Sequence, residues 1–196
     1  MIGLYLTAAL QFVLLPLALL VWAGRGRAAC RGLWAVRALA AGLGVLVLYF
    51  VGYWPLFGYG LRYGLLALLA LALVVGGLRA RRLPLWRRPA GRQWPGVALD
   101  GALLAGAAYL LVAVALAHRL PAGAVELAFP LRGAGYYVAQ GGAHPVLNGH
   151  LKVSQPRWRP WRGQKWGLDI VRLGPGGRRA KGFYPGEPAA YAIFGE

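Results

Sequence analysis

The sequence predicts a membrane protein with four transmembrane α-helices followed by a small β-rich extracytoplasmic domain. Three observations predict it. Hydrophobic residues make up 59% of the 196 residues and charged residues only 14%, whereas about a quarter of the residues in an ordinary soluble chain are charged. The apolar residues gather in four long runs with almost no charge. After His118 the texture changes to glycine, tyrosine, valine and proline, which suits short strands and turns. The chain therefore divides into residues 1–118 and 119–196.

The first run, 2–23, contains no charged residue and is long enough to cross a hydrocarbon core of about 30 Å. A cleaved signal peptide would carry positive charge before the run. Here Arg25, Arg27 and Arg31 follow it instead, so the run reads as a retained helix. The second run covers about 38–57 and ends in the aromatic cluster YFVGYWPLFGY, and the third covers 61–78. The fourth, 97–117, is broken only by Asp100. Helices suit all four, because they satisfy every peptide group internally. A single cysteine, Cys30, excludes an intrachain disulfide.

The arginines set the expected orientation. Loop 24–37 holds Arg25, Arg27, Arg31 and Arg37, and loop 79–96 holds six more, whereas the loop near 55–62 has only Arg62. Basic loops stay in the cytoplasm, so the N-terminus and everything after His118 are expected outside the plasma membrane. The tail of 78 residues carries 11 Lys and Arg, but segments this long translocate largely regardless of charge. The net charge of +17 suggests an acidic partner. For loops at the inner face, anionic lipid is a simpler one than nucleic acid. Asp100, about one turn inside its helix, is expected to reach the interface rather than serve as a proton or ion ligand. Gly101, Ala105 and Gly106 suit a helix-packing face, and Trp22, Trp54, Tyr59 and Trp94 suit interfacial anchors.

In the tail, VELAFPL (125–131), GYYVAQGG (135–142) and GLDIVRL (167–173) read as strands, and AAYAIFGE as the start of another. GAHPVLNGH is a loop with an Asn148-Gly149 turn, and GPGG (174–177) is a turn. VSQPRWRPWRGQKW (153–166) reads as an exposed loop. Its tryptophans and arginines would permit base stacking and phosphate contacts. The extracytoplasmic address argues against nucleic acid, and anionic wall polymers or lipid headgroups suit the same composition.

The run FPLRGAGYYVAQGGAHPVLNGH, with GQKWGLDIVRL and YAIFGE after it, resembles the opening part of the lysostaphin/LytM-type zinc metallopeptidase domain. The resemblance covers about residues 128–196. It implies an incomplete lysostaphin-type β fold, a zinc cofactor and a bacterial hydrolase acting on peptide cross-links of peptidoglycan in the cell wall. It also implies Asp169 and His150 as metal ligands, with Asn148 orienting a ligand or substrate. Catalytic zinc takes three protein ligands and keeps one position for water, whose pKa it lowers. Position 165, where the commoner family pattern has a histidine, is Lys165, and no histidine follows His150. His150 and Asp169 alone are two ligands of three. The chain is therefore expected to be an inactive or incomplete metallopeptidase, cut short before the family's His-x-His pair. The rival expectation is a non-catalytic membrane protein whose outer domain binds wall polymer or a partner. Beside the ligand roles stand plainer ones: His150 as a loop histidine, Asp169 ion-paired with Arg172, Asn148 as a turn residue. His144 is expected to be an exposed loop residue.

Overall fold

A computed structural model describes residues 2–25, 28–119, 122–123, 128–182 and 190–191. The chain forms two compact units that interleave in sequence. One comprises residues 1–52 and 63–111, the other 53–62 and 112–196.

Four helical stretches are long and apolar enough to cross a membrane: Tyr5–Gly24, Arg31–Val51, Leu61–Ala80 and Gly91–Ala117. By length and composition this is a multi-pass membrane protein. The first stretch joins α1 (Ile2–Ala9) and α2 (Leu15–Gly24) through a widened turn over Leu10–Leu14, in which the Leu15 N–H donates to Leu10 O. Pro16 explains the widening. It has no N–H to donate, and its ring would clash with a carbonyl one normal turn back, so an extra residue is accommodated just before it. The other stretches are α3 (Arg31–Val51), α4 (Leu61–Ala80) and the long α5 (Trp94–Ala117). Leu14, Leu17, Leu71 and Val74 are all exposed, as side chains that meet lipid should be.

Within the first unit, charged groups appear where the sequence suggested none. Arg37, expected in a loop, lies in the second turn of α3, and Asp100, expected at an interface, is 2% exposed. The Arg37 Nε donates to both Asp100 carboxylate oxygens at 3.2 Å, and a terminal guanidinium nitrogen donates to Oδ2 at 3.1 Å. The guanidinium also lies 5.6 Å from the Trp22 ring. Each charge lets the other stay in an apolar helix bundle, so α3 begins seven residues earlier than the uncharged run.

The two arginine-rich loops are joined through helix ends. Arg31 donates its backbone N–H to Pro84 O (2.9 Å) and its Nε to Leu83 O (2.8 Å). Gly24 O accepts from Arg79 (2.8 Å) and Ala23 O from Trp34 Nε1 (3.2 Å). These donors satisfy carbonyls that the end of α2 leaves without helical partners. Close approach depends on Gly76, where any Cβ would collide with Ala23 O. At Gly101 and Gly106 a Cβ would meet open space.

In the second unit, β1 (Gly135–Gln140) pairs antiparallel with β2 (Asp169–Leu173), and a bulge between Val138 and Gln140 brings Gln140 opposite Asp169. Residues 124–127 and 192–196 lie outside the described residues. Of the strand expected at 125–131, residues 128–131 are irregular, and Tyr191 makes a single bridge to Ala180. The expected loop at 153–166 instead winds as 3-10 turns, Gly149–Ser154 and Pro156–Gln164. Proline's fixed φ matches the 3-10 value.

A two-stranded sheet is marginal by itself. Here it packs with residues 53–62, expected to be part span and part connecting loop. Tyr59 N–H donates to Gly177 O (2.9 Å), Arg179 N–H to Pro55 O (2.9 Å) and Arg178 Nε to Phe57 O (2.8 Å). Trp54, expected as an interfacial anchor, is 5% exposed.

Removing one partner of a buried ion pair leaves an uncompensated charge, a loss of about 3–5 kcal/mol. Asp100→Ala should therefore melt well below the native protein in detergent–lipid micelles. The uncharged double variant Arg37→Met with Asp100→Leu should recover most of that loss. Native-like melting of Asp100→Ala would rule out a structural role for the pair.

Candidate functional site

The residues singled out in GGAHPVLNGH and LDIV do come together, and local chain geometry brings them there. After β1 the chain turns at Gly142, whose φ of +90° suits glycine and whose Cβ, if present, would lie 2.6 Å from Ala117 O. Ala143 N–H then donates to the same carbonyl, at the C-terminus of α5 (2.9 Å). The next turn is closed by His144. Its carbonyl accepts from Leu147 and Asn148 (3.1 and 3.0 Å), and its Nδ1 accepts from the Val146 N–H (3.2 Å). His144 thus shapes the turn.

Asn148 follows and is 1% exposed. Its Nδ2 donates to Gly142 O at 3.0 Å, which leaves Oδ1 as an acceptor. That oxygen receives the His150 N–H at 3.0 Å and faces His150 Nδ1 at 3.1 Å. An acceptor opposite Nδ1 requires the proton there. The other ring nitrogen, Nε2, lies 3.5 Å from Asp169 Oδ1. With the proton on Nδ1, the Nε2 lone pair and an Asp169 carboxylate oxygen, one nitrogen and one oxygen donor, turn toward the same space. Orientation of a histidine by a hydrogen bond to its far nitrogen is how metal-binding imidazoles are commonly held. Asp169 is half-exposed and the His150 side chain 22% exposed, so solvent reaches the pair. Asp169 faces His150 from the first position of β2, opposite Gln140, whose Oε1 accepts the Gly149 N–H at 2.9 Å.

These are one nitrogen and one oxygen donor. Among the described residues, no group of three or more His, Cys, Asp and Glu side chains comes together. The pair suits a two-donor clamp for a divalent cation. It falls one ligand short of the three that a catalytic zinc centre takes, so no hydrolytic step through a metal is derived from it. Lys165 places its ammonium 5.0 Å from the Trp166 ring. Comparison with protein-family models, characterised proteins and solved structures finds no match for this chain.

Sequence reasoning missed a second polar cluster in this unit. Tyr137 of β1 packs against Tyr53 and Tyr59 (ring centroids 5.9 and 5.8 Å). Arg62 lies over Tyr59 (3.7 Å) and bonds its hydroxyl, and Arg179 lies over Tyr53 and Tyr191 (5.6 and 5.4 Å). The aromatic run YFVGYWPLFGY was the available signal, but it reads equally as the end of a span. Burial pushes the Tyr137 phenol up, and Tyr53 and Tyr59 add to the rise against the lowering charge of Arg62.

A phenol held above its unfolded value contributes stability that is complete below the unfolded pKa, about 10, and is lost as pH rises through the folded pKa. Stability should therefore fall at alkaline pH beyond that point. Tyr137→Phe should flatten the fall, read as melting temperature against pH. In the native chain one phenol should ionise late by ultraviolet absorbance; an unchanged titration curve in Tyr137→Phe would refute the assignment.

Proposed function

We propose that the chain is a plasma-membrane protein of the lysostaphin/LytM metallopeptidase kind, with its tail on the cell-wall side. The Asn148–His150–Asp169 cluster is its metal-binding half-site. The observation that carries this reading is the geometry at His150, with one ring nitrogen held by Asn148 and the other turned to Asp169. The distribution of arginine supports the orientation, and the FPL…GYYV…LNGH…LDIV residues support the family. Asn148 fits the ligand-orienting role better than substrate contact, since it is buried with both ends of its amide engaged.

The second reading, a non-catalytic protein whose outer unit binds wall polymer, is favoured by the count of donors. Two gathered donors capture a cation and leave its activation of water to further ligands. The two readings share the half-site and differ in turnover. The chain as given is expected to bind peptidoglycan or zinc without cutting cross-links.

Zinc or cobalt titration of the full chain in detergent tests the half-site. Binding should vanish in His150→Ala and in Asp169→Ala. It should weaken by roughly 10–100-fold in Asn148→Ala, the usual cost of losing a residue that orients a ligand. Failure of the native chain to retain either metal would defeat the proposal. Release of cleaved cross-links from purified peptidoglycan by the zinc-loaded chain would favour the enzyme over the binder.

A further inference from the structure

Segment 152–168 carries a pattern that the half-site does not use. From Lys152 to Leu168 there are five basic residues, three tryptophans and no acidic residue. The structure leaves Arg157 exposed, with Trp166 67% and Leu168 54% exposed. Lys165 lies against the Trp166 ring. Val138, half-exposed on β1, meets Leu168 beside Gly141: a Cβ on that glycine would touch both side chains. Exposed apolar side chains with a lysine beside them, in a segment rich in basic residues, suit a surface that is apolar below and anionic above.

Contacts within the second unit connect this segment to Ala117. Ala117, the last residue of α5, accepts the Ala143 N–H. Neighbouring Gly142 accepts from Asn148, and Asn148 accepts from His150. A Cβ on Gly167 would sit 3.4 Å from the His150 ring, and Trp166 and Leu168 flank Gly167. A few hydrogen-bonding or van der Waals contacts thus connect the exposed tryptophan to the mouth of a membrane helix. A second tether is the pairing of residues 177–179 with Tyr59, Pro55 and Phe57, in the connection between α3 and α4. Next to the hydrocarbon lies a headgroup layer roughly 5–8 Å thick, the region where tryptophan rings settle and long basic side chains reach phosphate.

We propose that segment 152–168, with Val138, is a foot that rests on anionic phospholipid headgroups of the leaflet from which α5 emerges. Lipid is favoured over wall polymer because those contacts link Trp166 and Leu168 to Ala117, at a span end where headgroups are the nearest anions. The proposal stands apart from the metal half-site, and its test alters neither His150 nor Asp169.

The experiment uses the full chain with Cys30, its single cysteine, replaced by alanine. A polarity-sensitive dye is attached at Gly163→Cys, an exposed position where a Cβ meets nothing. The labelled protein is reconstituted in phosphatidylcholine vesicles, with or without phosphatidylglycerol. Emission should shift to the blue, and quenching by an aqueous quencher should fall, only where phosphatidylglycerol is present. Both changes should reverse at high salt, which screens exposed charges, and in the double variant Arg157→Gln with Lys165→Gln. Arg157 is exposed and Lys165 part-exposed, and an unchanged melting curve in detergent will show that the variant folds. Identical emission in the two vesicle types would overturn the proposal. So would a shift that appears only on adding a soluble polyanionic wall polymer.

Discussion

Arg37 and Asp100 lie on different helices, and neither is tolerable in an apolar bundle without the other. A lone carboxylate in that setting would be driven to protonate or to drag water inward, and a lone guanidinium would pull its helix toward the surface. Paired through both carboxylate oxygens, with Trp22 beside the guanidinium, they hold α3 to α5. The same constraint explains the arginine-rich loops. Arg79 donates to Gly24 O, a carbonyl that the end of α2 leaves unsatisfied, and Arg31 donates to Leu83 O in the loop after α4, so these residues tie helix ends and loops together.

The second unit meets a different constraint. Among its described residues it has little core: one pair of strands, 3-10 turns and a tyrosine cluster. Its stability depends on residues 53–62, which return hydrogen bonds to 177–179 and surround Tyr137. A connection between two helices thereby becomes part of the second unit. Cutting the tail from the helices would remove the wall against which β1 packs.

The site follows from the way this unit turns. Gly142 permits the close approach to Ala117, His144 closes the turn, and Asn148 is driven inward with its amide fixed by Gly142 O. His150 is then oriented before anything binds. The three residues named from the sequence are neighbours in space, and that much was legible from the LNGH and LDIV resemblance. The division of labour among them was not. Residue identity leaves Asn148 free to be a turn residue, a substrate contact or an orienting group; its burial and its hydrogen bonds show it anchored to Gly142 and facing the His150 ring.

The sequence by itself determined the four spans and the uneven placement of arginine, because the exclusion of charge from hydrocarbon acts residue by residue and is readable as a run. It also pointed to strands at 135–142 and 167–173, which form over Gly135–Gln140 and Asp169–Leu173, while the same kind of pattern at 125–131 leaves its described part irregular. Tertiary structure decided where those runs begin and which residues meet. Arg37 belongs to a helix only because Asp100, 63 positions away, is there to receive it. Residues 53–62 belong with the tail because of hydrogen bonds to positions more than a hundred residues on. Such contacts are set by how separate segments pack, and no local pattern of hydrophobicity encodes them.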